Sequence, residues 1–250
     1  MKIIENPFNI VLQNYSDIQT FSEQGIFLKT LSDNNKIEFL YNRNSLQFYC
    51  IVDLKKENAV IKSDFNLYSK TIVKYMATPL IEILFNNLII HASSVFKNGK
   101  LFIFSGKSGA GKSTLADFFL NRNFLLNSDD YLFFNNNNAV FCGSCKKQNQ
   151  NYAKMEIDRK IIHSKIDKIF FIYIENDSKK NSIMDLNRKK LIKYLFENNY
   201  NREFITEYSD FDVLFQKIGF LSGSFESFIF NNAKNKHSLK CMESFISENI

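Results

Sequence analysis

The sequence predicts an α/β fold preceded by a small β-rich unit, and three observations predict it. Beyond residue 90, strand-like apolar runs alternate with segments of helical period, the pattern of a sheet covered by helices. Within that part, "LFIFSGKSGAGKSTLADFFL" (Leu101 to Leu120) passes from an apolar run through a glycine loop into a helix-like run without interruption. Ahead of it, residues 1–75 hold only short alternating or apolar runs separated by Asn, Asp and Ser clusters, as in a meander of antiparallel strands. The chain therefore divides into a β-rich N-terminal unit, 1–75, and a larger α/β domain, 76–250. With 250 residues, 45% of them hydrophobic and 23% charged, it is long enough to bury a substantial core.

The first unit contributes "NIVLQNY", "GIFLKTL", "KIEFLYN", "LQFYCIVDL" and "NAVIKSDF", none of which carries recognisable chemistry. In "KTIVKYMATPLIEILFNN", Ile72, Tyr75, Met76, Leu80, Ile83 and Leu84 recur at helical spacing, while Pro79 predicts a kink or a pair of short helices. "LIIHASSVFKNGKLFIFSG" reads as two strands joined at Asn98-Gly99, the strongest short hairpin signal. "KSTLADFFLNRN" follows the loop as a helix, and "FLLNSDDYLFF" as a short apolar strand ending in two Asp. "NNNNAVFCGSCKKQNQNYAK" is polar and irregular, a hairpin or loop with Asn135 to Asn138 at a tip. "KIDKIFFIYIEN" has the continuous apolar run of a strand buried on both faces. "DLNRKKLIKYLFENN", "DFDVLFQKIGFL" and "NKHSLKCMESFISENI" read as helices, and "SFESFIFNN" fits a strand or a short helix.

Composition excludes several function classes. The net charge is 32 − 26 = +6, but the lysines are scattered and no compact basic run interleaves with aromatics, so a solvated basic exterior is expected rather than a nucleic-acid groove. No run reaches the ~18 apolar residues that span a bilayer, and the first residues lack a signal-peptide core. Cys50, Cys142, Cys145 and Cys241 are too few and too irregular for a disulfide framework. A reduced, cytoplasmic setting is expected, with no membrane and no nucleic acid as partner.

Gly106-Lys107-Ser108-Gly109-Ala110-Gly111-Lys112-Ser113, with Thr114 following, fits G-x-x-x-x-G-K-[ST] in full. Glycines let backbone N–H groups turn inward around an anion, and the helix beginning near Lys112 adds its positive end. In this motif the lysine, Lys112, reaches the β- and γ-phosphates and the hydroxyl of Ser113 binds Mg²⁺. Three of only eight glycines in the chain fall within six residues, 106–111, which argues against a chance match. Asp129 and Asp130 close the next apolar run, one helix and a turn beyond the loop. In a parallel sheet that puts them at the strand edge that carries the loop. Neighbours on a strand point to opposite sides, so one carboxylate can face Mg²⁺ while the other faces an acceptor hydroxyl, as in kinases. His91, after Leu88-Ile89-Ile90, reads equally well as a structural or a catalytic histidine.

Histidine, hairpin, phosphate loop, helix and Asp-Asp strand stand in the order "LIIHASSVFKNGKLFIFSGKSGAGKSTLADFFLNRNFLLNSDDY". This segment resembles the C-terminal domain of HPr kinase/phosphorylase, closest to the short HPr-kinase-like proteins of peptide-modification gene clusters. The resemblance is dense over residues 88–131. It implies a P-loop kinase core of the HPr kinase/phosphoenolpyruvate carboxykinase type. It further implies that Gly106 to Thr114 bind ATP and that Ser113 and Asp130 hold Mg²⁺. Asp129 would be the general base toward an acceptor serine, with His91 in a supporting role. The substrate would then be a serine of a peptide or small protein, such as a ribosomally made precursor, and related kinases form homo-oligomers. Ala92 stands where HPr kinases carry glycine, and Lys154, Arg159 and Arg202 are the candidates for that family's arginine.

Two other readings remain open on the sequence. One is a kinase of a small hydroxylated metabolite such as serine. The other is a nucleotide-binding regulatory or assembly protein, in which no base need face an acceptor. Cys142-Gly-Ser-Cys145 is a lone pair without the further ligands that zinc requires, and a turn is expected there. His163 and His237 are expected on the surface.

Overall fold

The computed structural model describes residues 1–250 except 2, 6–8, 15–24, 31–34, 44–45, 86, 136–137, 142–144, 149–150, 155–162, 177–178, 199–210 and 236. After a short strand β1 (Ile3–Glu5) come β2 (Asn9–Asn14), β3 (Gly25–Thr30), β4 (Lys36–Arg43), β5 (Leu46–Asp53) and β6 (Asn58–Ser63). Strands β2 to β6 make a five-stranded sheet in the order β2-β6-β5-β4-β3. Its burial has period two: Leu46, Phe48, Cys50 and Val52 of β5 are buried, and Gln47, Tyr49 and Ile51 between them are half-buried. The pairs β3–β4, β4–β5 and β5–β6 are antiparallel, as a meander requires. β2 departs from it by joining β6 in parallel.

Helix α1 (Lys70–Leu84) runs through Pro79 as one element, so of the kink or pair of short helices expected there, the pair is not formed. An interior proline costs about 3 kcal/mol, and burial offsets it: Val73, Ala77, Leu80, Ile81 and Ile83 are all within 1% of full burial. The helix packs on β5 and β6 and also on β7 (Leu88–Lys97). The boundary expected between residues 75 and 76 therefore falls inside an element shared by both sheets.

β7 turns at Asn98-Gly99 into β8 (Lys100–Gly106), with Lys97 opposite Lys100. Both turn residues have positive φ, 49° and 75°, the type I′ geometry that matches strand twist. A Cβ at Gly99 would collide with the Asp167 carboxylate. Gly99→Ala is expected to lower stability by about 1–2 kcal/mol through left-handed strain, read as a lower denaturant midpoint at unchanged slope.

The chain continues through α2 (Lys112–Leu120), β9 (Leu125–Ser128), β10 (Tyr131–Asn135), β11 (Asn138–Phe141) and the hairpin β12 (Cys145–Gln148)–β13 (Asn151–Lys154). β14 (Lys168–Glu175), β15 (Ser182–Asp185), α3 (Arg188–Glu197), α4 (Phe211–Ser224), β16 (Phe225–Asn231) and α5 (Ser238–Glu248) complete it. Among the described residues the large sheet runs β1-β11-β10-β7-β8-β14-β16-β15, with β9 also on β7. β8, β14 and β16 are parallel, and β7 is antiparallel to β8. β1 pairs with β11 and so belongs to this sheet rather than to the N-terminal one.

Both faces of the central strands are covered, which explains their continuous apolar sequence. Ile103, Ile169, Phe171 and Tyr173 face a core shared with α1, α3 and α4. Phe102, Phe104, Phe170 and Ile172 face a second core closed by Leu115 and Phe119 of α2 and Met242 and Ile246 of α5. The result is a mixed α/β architecture. No helix among the described residues is long and apolar enough to cross a membrane.

Candidate functional site

The glycine loop springs from the C-terminal end of β8, in the middle of the large sheet. Gly106, Gly109 and Gly111 all have positive φ (147°, 75° and 100°). At Gly106 no other residue fits, because a Cβ would lie 2.8 Å from the Ile174 carbonyl oxygen on β14. At Gly109 and Gly111 the space a Cβ would enter is open. Gly111 caps α2 without a side-chain hydrogen bond, so no capping side chain occupies the helix's positive end. Lys107, Ser108 and Gly109 are exposed, Ser113 is half-buried and Thr114 is exposed. Asn176 steadies the loop from the end of β14, its Nδ2 donating to the Gly109 carbonyl at 3.3 Å.

Lys112, the first residue of α2, is 7% exposed. Its Nζ donates to the carbonyls of Gly106 (3.0 Å) and Lys107 (3.2 Å), so the ammonium already lies within the loop's curve. Burial lowers its pKa and the charge of Asp129 opposes that shift. A buried cation, open space beside the glycines and an uncapped helix end fit a polyphosphate chain.

The strand expected to end in Asp129 and Asp130 is instead two strands on one partner. β9 pairs with β7 at Ser128–Ser94 and β10 pairs with it at Tyr131–His91. Asp129 and Asp130 form the break between them. The pairings Val95–Leu126 and Ser94–Ser128 leave Asn127 as an extra residue, a β-bulge, a device common beside functional sites. Its Nδ2 donates to Ser94 Oγ at 3.1 Å. Ala92 pairs with Ser105 and its N–H donates to the Asp130 carbonyl at 3.1 Å, so the two aspartates stand level with the end of β8. β7 lies between them and the loop strand.

The two carboxylates have different surroundings. Asp129 is 8% exposed. The Ser93 hydroxyl, from β7, lies 3.1 Å from its carbonyl oxygen and 3.2 Å from its Oδ1. Asp130 opens to solvent, with its Oδ1 3.1 Å from His91 Nε2. Burial, aided by the Lys112 charge, lowers the His91 pKa to about 4, and burial raises that of Asp130 to about 6. At neutral pH a neutral His91 therefore faces an ionised Asp130. Among the described residues no three His, Cys, Asp or Glu side chains converge on a self-contained metal site. Mg²⁺ on a triphosphate needs only one or two protein oxygens, which Ser113 and Asp130 offer.

These two shifts act on stability with opposite signs. A histidine with a depressed pKa binds its proton less well folded than unfolded, so it removes stability as pH falls from about 6.5 toward 4. A carboxyl with a raised pKa binds its proton better when folded, so it restores stability as pH falls from about 6 toward 3.8. Asp130→Asn removes the second contribution. Its Tm is expected to fall more steeply than the parent's between pH 6.5 and 4, and parallel curves would contradict this. The effect is small, because the side chains are 33% and 40% exposed.

The structure thus places His91 against Asp130, and Lys112 within electrostatic reach of His91 and Asp129. Ser93 and Asn176 were not singled out from the sequence. Ser93 had a signal, since it shares a strand face with His91; Asn176 had none. His163 and His237 are exposed, as expected. Arg159, Arg202 and Cys142 lie outside the described residues, as do the side chains of Cys145 on β12 and Lys154 on β13. Compared with known proteins, the chain matches no family model and no curated protein.

Proposed function

We propose that the protein is an ATP- and Mg²⁺-dependent phosphotransferase that moves the γ-phosphate to a hydroxyl, that of a serine in a peptide or small protein. The observation that carries this reading is a buried Asp129 carboxylate whose charge acts on Lys112, the lysine held in the curve of the glycine loop. Nucleotide binding alone requires no buried base there. The resemblance of residues 88–131 to HPr kinase supports the same chemistry and favours a serine acceptor.

In this reading Gly106 to Thr114 bind the phosphates through backbone N–H groups and the α2 N-terminus. Lys112 leaves the loop carbonyls for the β- and γ-oxygens and stabilises their charge during transfer. Asp129 accepts the acceptor's proton as its oxygen bonds to the γ-phosphorus, the β–γ bridging P–O bond breaks, and ADP leaves. Ser113 and Asp130 would hold Mg²⁺, which supplies positive charge to the phosphate oxygens. His91, with its Nε2 3.1 Å from Asp130 Oδ1, takes the supporting role. Cys50 and Cys241 are free thiols, compatible with the cytoplasmic setting in which ATP is the available donor.

The test is incubation with γ-labelled ATP and Mg²⁺ in parallel with a serine-containing peptide library and with free serine. Label on a peptide hydroxyl supports the proposal. Label on free serine alone reassigns the acceptor to a metabolite. Tight ATP binding with no label on either acceptor contradicts a transferase and favours a nucleotide-dependent regulatory protein.

A further inference from the structure

Asp129 lies in the break between β9 and β10, and its carboxylate is buried within electrostatic reach of Lys112. Two buried ions of opposite sign attract strongly where water is scarce. A carboxylate drawn onto the Lys112 ammonium would neutralise the cation that phosphate needs and would lose its basicity. A fixed contact on Asp129 prevents that collapse.

Resting on the phosphotransfer reading, we propose that Ser93 is the positioning residue for Asp129, anchoring its backbone and carboxylate to the central strand β7. Ser93 is fully buried on a strand flanked on both sides, by β8 and by β9 and β10, so its Cα is as firmly fixed as any in the sheet. Its hydroxyl has one proton to give, and two acceptors of the same residue are in range: the Asp129 carbonyl at 3.1 Å and Oδ1 at 3.2 Å. It therefore substitutes for the missing ladder bond and sets the rotamer of the carboxylate in one contact. His91, two residues earlier on the same face, places its Nε2 3.1 Å from Asp130 Oδ1, so β7 contacts both carboxylates.

The experiment compares Ser93→Thr with Ser93→Val, which have the same shape and differ in the hydroxyl. Ser93→Thr is expected to keep kcat within a few-fold of the parent, and Ser93→Val to lower it about tenfold or more, the worth of a hydrogen bond to a charged group. KM for ATP and nucleotide affinity are expected to stay within about twofold in both. In an Asp129→Asn background Ser93→Val is expected to cause no further loss, because residues acting as a unit are not additive. Equal kcat in the Thr and Val variants, or full additivity with Asp129→Asn, overturns the role of Ser93 while the parent's activity stands. A parent that labels no acceptor overturns the phosphotransfer reading, and this role with it.

Discussion

Asp129→Asn is expected to bind ATP within a few-fold of the parent and to transfer phosphate about 10²–10⁴-fold more slowly, the range for loss of a general base. The amide has the carboxylate's shape, so the hydrogen bond from Ser93 to the backbone carbonyl survives, and Oδ1 remains an acceptor. What disappears is the capacity to take a proton and the charge facing Lys112. Removing that negative charge from beside a phosphate site does not weaken anion binding, so affinity and rate separate. Equilibrium binding of a fluorescent ATP analogue and the initial rate of label transfer measure the two. Retained transfer would dismiss Asp129 as the base.

Lys112→Met is expected to lose both, lowering transfer about 10²–10³-fold, the usual effect of removing one group that stabilises transition-state charge, and weakening nucleotide binding as well. Methionine fills the same channel without the ammonium, so the two bonds to the Gly106 and Lys107 carbonyls disappear. The variant should remain folded, because α2 is also held by Leu115, Ala116 and Phe119 in the core. Circular dichroism controls for folding, and calorimetry with Mg·ATP reads the binding loss. Unchanged nucleotide affinity would show that phosphate does not use this loop.

Local chemistry was the most legible part of the sequence. Asn98-Gly99 states its own turn, because few other pairs adopt positive φ twice in succession. The run in "KIFFIYIEN" states burial on both faces. The glycine loop is marked by residue types whose backbone geometry is rare elsewhere. Non-local pairing was not legible. "FLLNSDDYLFF" reads as one apolar strand ending in two aspartates, and nothing in it reveals the Asn127 bulge or the second strand on the same partner. β1, three residues long, gains its place only by pairing with β11, far along the chain. Pro79 carries a strong local signal for a break into two helices, which tertiary burial overrode. Around the candidate site, residue types pointed to Lys112, Asp129, Asp130 and His91. The contact between Ser93 and Asp129 depends on a strand register that no single segment encodes.

The most direct measurement is a crystal structure with Mg²⁺ and a non-hydrolysable ATP analogue. We expect the triphosphate in the curve of Gly106 to Thr114, with Lys112 moved onto its β- and γ-oxygens. Ser113 and Asp130 should then lie on the metal, and the Asp129 carboxylate within hydrogen-bond reach of the side from which an acceptor oxygen approaches the γ-phosphorus. An analogue bound with its γ-phosphate remote from Asp129 and Asp130, or seated away from the glycine loop, would contradict a phosphotransferase built on these residues.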